Sequence, residues 1–161
     1  MILLDTNVVS EPLKPTGDVG VLTWLDAQTI ETLYLSAISL AKLRFGIAAL
    51  PSGKRKETLQ SSLEQSILPL FAGRILPFDT AASEAYAVLR ARAQGKAISP
   101  ADGYIAATAT AHGLIVATRD TDPFEAAGLT VINPWKAQRG RTGQMPSAWV
   151  HSPNIACQNQ L

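Results

Sequence analysis

Five short apolar runs punctuate this 161-residue chain: Ile2–Leu4, Leu33–Ser36, Ile75–Phe78, Leu114–Thr118 and Leu129–Ile132. Each is too short for a helix and long enough for a buried strand. The intervals between them mostly carry helical spacing. Asp18 stands as an N-cap for a helix reaching about Gln28, with Val21, Leu22 and Leu25 on its inner face. Ile38, Ala41, Phe45 and Ala48 recur at helical intervals between Ala37 and Leu50, and Leu59, Leu63, Ile67 and Leu70 do so further on. An alanine-rich helix is expected from Ala81 to Gln94, closed by Gly95, and another from Ser99 to Gly113. Strands separated by helices pair in parallel, because a same-direction return needs a long, right-handed crossover. The expected fold class is therefore α/β: a three-layer α/β/α sandwich around a central parallel sheet of about five strands.

The length suits one domain. Periodicity persists to Trp135 and then dissolves, so the reading is a domain over residues 1–135 and an irregular tail over 136–161. No run approaches the ~18–20 apolar residues of a membrane span. Met1 leads straight into the first strand without a basic leader, and the single Cys157 has no internal disulfide partner, so a cytoplasmic location is expected. A formal net charge of +1 gives no global attraction for nucleic acid, so any RNA binding must be local. The triplet Lys54-Arg55-Lys56 reads as a solvated helix start or as a small RNA-facing patch.

The chemistry concentrates where strands end. Asp5, Thr6 and Asn7 follow the first strand at once, and Thr118, Arg119, Asp120, Thr121 and Asp122 follow the fourth. Ligands of open α/β sheets bind beyond the carboxyl ends of the strands. If the first and fourth strands are neighbours, Asp5 and Asp120 face one cleft, with Asp102 at the start of the preceding helix. Each acid also has a plain structural reading. Asp5 can cap a helix, and Ser99-Pro100-Ala101-Asp102 has the form of a capping box. Carboxylates brought together repel one another, and a divalent cation with hard oxygen preference, Mg2+ or Mn2+, relieves that. Such a metal can generate a nucleophilic water for phosphodiester hydrolysis. Thr6, Asn7 and Thr118 would orient the acids, and Arg119 or Arg44 would hold a phosphate. A Mg2+-dependent phosphotransfer protein and a non-catalytic binding module fit the same residues.

The segments LLDTNVVSEP, SAISLAKLRFGIAAL, ILPLFAGRILPFD, SPADGYIAATATAHG, VATRDTDPF and VINPW occur in the same order as in the PIN-domain toxins of VapBC systems, which the chain resembles from Met1 to about Trp135, particularly the FitB-like subgroup. That resemblance implies an Mg2+- or Mn2+-dependent endoribonuclease that forms a homodimer. It also implies a cognate antitoxin that covers the site and carries the pair to operator DNA. By position it assigns Asp5, Asp102 and Asp120 as catalytic, metal-binding acids, with Asp122 as an additional ligand and Thr6, Asn7 and Thr118 in support, beside Arg119 as the supporting residue read from the strand end itself. One position departs: the family's remaining acid, a glutamate, is replaced by Lys42. An ammonium in place of a carboxylate changes the site by two charge units. A unit pair at ~4 Å is worth about 4 kcal/mol at an effective dielectric of ~20, so metal affinity and cleavage are expected to be impaired. Lys42 either takes the cation's place or swings its charge into solvent.

Overall fold

The computed structural model of the protein describes residues 1–92 and 98–136. Most of the expected tail, with Trp149 and Cys157, lies outside the described residues, as does the expected helix end at Gln94 and Gly95. Five parallel strands form one sheet in the order β3-β2-β1-β4-β5: β1 (Ile2–Leu4), β2 (Leu33–Ser36), β3 (Ile75–Leu76), β4 (Ile115–Ala117) and β5 (Val131–Ile132). The central strand β1 has β2 on one side and β4 on the other, with Leu4 opposite both Leu35 and Ala117. This pairing brings the ends of the first and fourth runs together. The third run is shorter than expected, since Pro77 cannot donate to a ladder and the strand stops before it.

Residues alternate across the sheet into two cores. On one side Leu4, Leu33, Leu35 and Ala117 meet α1 (Thr6–Val9), α2 (Val19–Asp26) and α3 (Ala37–Ala48) through Val8, Val9, Val21, Leu25, Leu40 and Leu43. On the other, Leu3 and Val116 meet α5 (Thr80–Arg92), α6 (Pro100–Ala111) and α7 (Asp122–Ala126) through Leu89, Ile105, Ala106, Ala109 and Phe124. The helix expected around Leu59–Leu70 is irregular: α4 (Lys54–Ser61) widens over Ser62–Ile67 and tightens over Leu68–Phe71, where Pro69 removes an amide donor. Within the basic triplet, Lys56 Nζ donates to the carbonyls of Ala48 at 2.6 Å and Leu50 at 3.2 Å. It closes the carboxyl end of α3, where a cation is electrostatically favoured.

Helices α5 and α6 approach closely because Gly103 faces the ring of Tyr86. A Cβ there would lie 2.9 Å from Tyr86 Cε2. The ring cannot retreat freely, since it stacks on Tyr104 with centroids 4.7 Å apart. Gly103→Ala is therefore expected to cost about 1–3 kcal/mol through overpacking, despite alanine's better helix propensity. Urea unfolding would check this, and a stabilised variant would contradict it.

Candidate active site

Asp5 sits where β1 gives way to α1, and its main chain is tied to the neighbouring strand by an N–H donated to Ala117 O at 2.9 Å. The residue is 4% exposed. Oδ1 accepts from Thr6 N at 2.6 Å, and Oδ2 accepts from Asn7 Nδ2 at 2.9 Å and Thr118 Oγ1 at 2.8 Å. Asp5 thus does cap the short helix, as its structural reading anticipated. The same carboxylate also joins two strand ends through Thr118, whose hydroxyl oxygen accepts from Asn7 Nδ2 and from Asp120 N, each at 3.1 Å. The Thr118 and Arg119 backbone is fixed further by Arg119 N donating to Asn7 Oδ1 at 3.3 Å.

Asp102 enters from α6. Ser99 Oγ accepts from Asp102 N at 3.1 Å and donates to Asp102 Oδ2 at 2.7 Å. The expected box is half present, because the acid returns to the serine hydroxyl rather than to the serine amide. The other oxygen, Oδ1, accepts from Lys42 Nζ at 3.0 Å. Lys42 does not swing its charge away: its side chain is 38% exposed and spans from α3 to α6 to meet Asp102. Asp5 feels both charges. Burial pushes its carboxyl above the ordinary aspartate value, opposed by the Thr118 hydroxyl, the Thr6 amide and the Lys42 ammonium, while Asp102 adds to the upward push.

A folded-state pKa above the unfolded one means the folded chain holds the proton more tightly. The resulting stability is complete below the unfolded pKa and is lost as pH rises through the folded one. Ionised Asp5 is therefore a cost to the fold near neutrality. Relative to the unsubstituted chain, Asp5→Asn is expected to gain in melting temperature as pH is raised from ~4 to ~7, the range that starts at the ordinary carboxylate pKa. Paired thermal melts in chelator would check this, and a pH-independent difference would contradict it.

The remaining acids, Asp120 and Asp122, lie exposed on the loop after β4, with Asp122 opening α7. Among the described residues no three His, Cys, Asp or Glu side chains gather closely enough to hold a metal ion. The donor chemistry agrees. Asp5 spends its oxygens on three donors, and Asp102 is engaged by an ammonium and a hydroxyl. The residues as they stand do not fit a divalent cation. Nor is Asp5, enclosed by donors, presented as a nucleophile for phosphotransfer. Arg44 is held by Glu64 through two hydrogen bonds, at 2.9 and 3.0 Å, and is not the free phosphate ligand expected of it.

The PIN domain profile matches residues 2–129. The chain belongs to the PIN-domain family. VapC ribonuclease Y4jK of Sinorhizobium fredii is 64% identical to this PIN-domain chain over 138 residues, covering 84% of it and 99% of that protein. Toxin FitB of Neisseria gonorrhoeae is 59% identical over 137 residues, covering 84% and 99%. The solved structure of FitAB bound to an IR36 DNA fragment superposes on the PIN domain with a TM-score of 0.82 at 55% identity, covering 88% of this chain and 100% of that one. The expected family and the α/β sandwich are thereby established. No helix among the described residues is long and apolar enough to cross a membrane.

Sequence reasoning missed three participants. Ser99 was read as a cap and also hydrogen-bonds the Asp102 carboxylate. Asn133 Nδ2 donates to Arg119 O at 3.1 Å, and Trp135 lies under the Arg119 guanidinium, 5.5 Å from ring centroid to Cζ. Only the Asn-Pro-Trp stop after the last strand signalled the latter two, and that signal reads equally as a turn.

Proposed function

We propose that this chain is the toxin component of a type II toxin–antitoxin pair, a PIN-domain endoribonuclease whose hydrolysis of RNA is held down by Lys42. The similarity to VapC ribonuclease Y4jK and Toxin FitB supports the ribonuclease and toxin parts. The observation that carries the impairment is the 3.0 Å Lys42–Asp102 contact, within electrostatic reach of Asp5. Asp5, Asp102 and Asp120 are the proposed catalytic acids, with Asp122 as an additional metal ligand. Mg2+ or Mn2+ is the ion the site would accept once position 42 again carries an acid. Thr6, Asn7, Thr118 and Arg119 hold these groups in register. The partners proposed are a cognate antitoxin and RNA, with operator DNA reached through the antitoxin, consistent with the DNA-bound FitAB complex. The active unit is proposed to be a cytoplasmic homodimer of the domain over 1–135, with 136–161 as an appended tail.

The same ion pair favours a second reading, a PIN module that binds antitoxin or RNA and cuts nothing. The test compares RNA cleavage in Mg2+ or Mn2+ by the chain and by Lys42→Glu. Cleavage gained by the variant supports an impaired nuclease; antitoxin affinity without cleavage in either supports the binding module.

A further inference from the structure

Asp5, Asp120 and Asp122 follow the carboxyl ends of β1 and β4, and Asp102 at the start of α6 acts electrostatically on Asp5, so the negative charge of this end repels a polyanion. An RNA phosphate approaching it needs a cation that is not already spent. Lys42 is paired with Asp102, and Arg44 with Glu64. Arg74 donates to the carbonyls of Ile30, Leu33 and Leu70, and Arg90 donates to Ile98 O while lying over Tyr86. Arg119 differs. Among the described residues its guanidinium makes no ion pair and rests on the face of Trp135.

Its position is also unusually determined for an exposed side chain. The residue's N–H is held by Asn7, the same side chain that donates to Asp5, and its carbonyl is held by Asn133. Asn133 Oδ1 in turn accepts from Trp135 N at 3.0 Å, so one amide side chain holds the backbones of both the arginine and the tryptophan whose ring lies beneath its guanidinium. Cation–π contact steadies the planar fork of this exposed residue, and a steadied, unpaired guanidinium suits bidentate phosphate recognition.

We infer that Arg119, shelved on Trp135 and registered to Asp5 through Asn7, is the substrate-positioning residue of this site, holding a backbone phosphate of single-stranded RNA beside Asp5. This rests on the ribonuclease reading for its biological meaning, but it concerns binding and is testable without cleavage. The probe is a short unstructured, fluorescent oligouridylate, titrated by anisotropy into the full chain in chelator over a range of salt concentrations.

Arg119→Ala is expected to weaken binding about tenfold and to reduce the slope of log affinity against log salt by ~0.7, the value for one phosphate contact on a single strand. Arg119→Lys should keep that slope while losing part of the affinity. Trp135→Leu should weaken binding severalfold with the slope kept, because the charge remains but its shelf is gone. Circular dichroism melts confirm that each variant is folded. An Arg119→Ala chain with unchanged affinity, or with lower affinity at unchanged slope, overturns the assignment, and so does an unsubstituted chain that binds no RNA. An unaltered Trp135→Leu overturns the shelf. Cleavage by Lys42→Glu is scored separately. If that variant cuts RNA and Arg119→Ala changes nothing, the positioning role alone fails. If Arg119-dependent binding is seen without cleavage, the ribonuclease reading alone fails.

Discussion

Lys42→Glu is expected to create divalent-metal binding in the Asp5–Asp102 pocket and to raise Mg2+-supported RNA cleavage by about 100-fold or more over the unsubstituted chain. The magnitude follows from charge. Each unit interaction at ~4 Å is worth about 4 kcal/mol at an effective dielectric of ~20, and the substitution both removes a cation and adds an anion. Solvent reaches the side chain, which is 38% exposed, so most of that figure is screened. A residue of about 3 kcal/mol still corresponds to roughly 100-fold. The substitution also frees Asp102 Oδ1, now occupied by the lysine ammonium. The measurement is a Mn2+ titration by calorimetry beside a cleavage time course on mixed RNA. Equal metal affinity and equal rates for the two proteins would refute the impairment.

Phe124→Ala is expected to cost about 3–5 kcal/mol, as truncation of a fully buried aromatic does. Phe124 is 1% exposed and packs into the cluster containing Ile105, Ala109 and Val116. It is the buried residue of α7, the helix that Asp122 opens directly after Asp120 and Thr121. Native domains hold only about 5–15 kcal/mol in reserve, so the variant should lie near the edge of folding and melt at least ~10 °C lower. Phe124→Leu retains most of the apolar volume and should lose much less. Guanidinium unfolding of the two variants decides the matter; a loss below about 1 kcal/mol for alanine would show that the site collapses around the cavity and that α7 has another anchor.

The layered fold was legible because short continuous apolar runs and helical patterns alternate along the chain, and because Asp18 and Ser99 are strong helix starts that the structure uses as such. Asp5 and Thr118 were legible as strand-end residues of the site region. Their mutual hydrogen bond follows once β1 and β4 are neighbours. Three things were not. The widened turn at Ser62–Ile67 still keeps Leu63 and Ile67 in the core, so apolar periodicity alone reads straight through it. The direction of the Lys42 side chain depends on where α6 places Asp102, a tertiary fact absent from local text. The pairing of Arg44 with Glu64 likewise joins residues 20 positions apart on separate helices, so neither one's sequence context forecasts it.

The hydrogen bonds that organise Asp5 come from Thr6, Asn7 and Thr118, and none of them involves position 42. The hydrogen-bonded surroundings of Asp5 therefore stand apart from the residue proposed to silence the site. In genetic terms, lysine and glutamate codons differ at a single base, so under the proposed impairment a gene encoding this chain would be carried without need of an antitoxin and armed by one substitution, with no second mutation needed to rebuild the surroundings of Asp5.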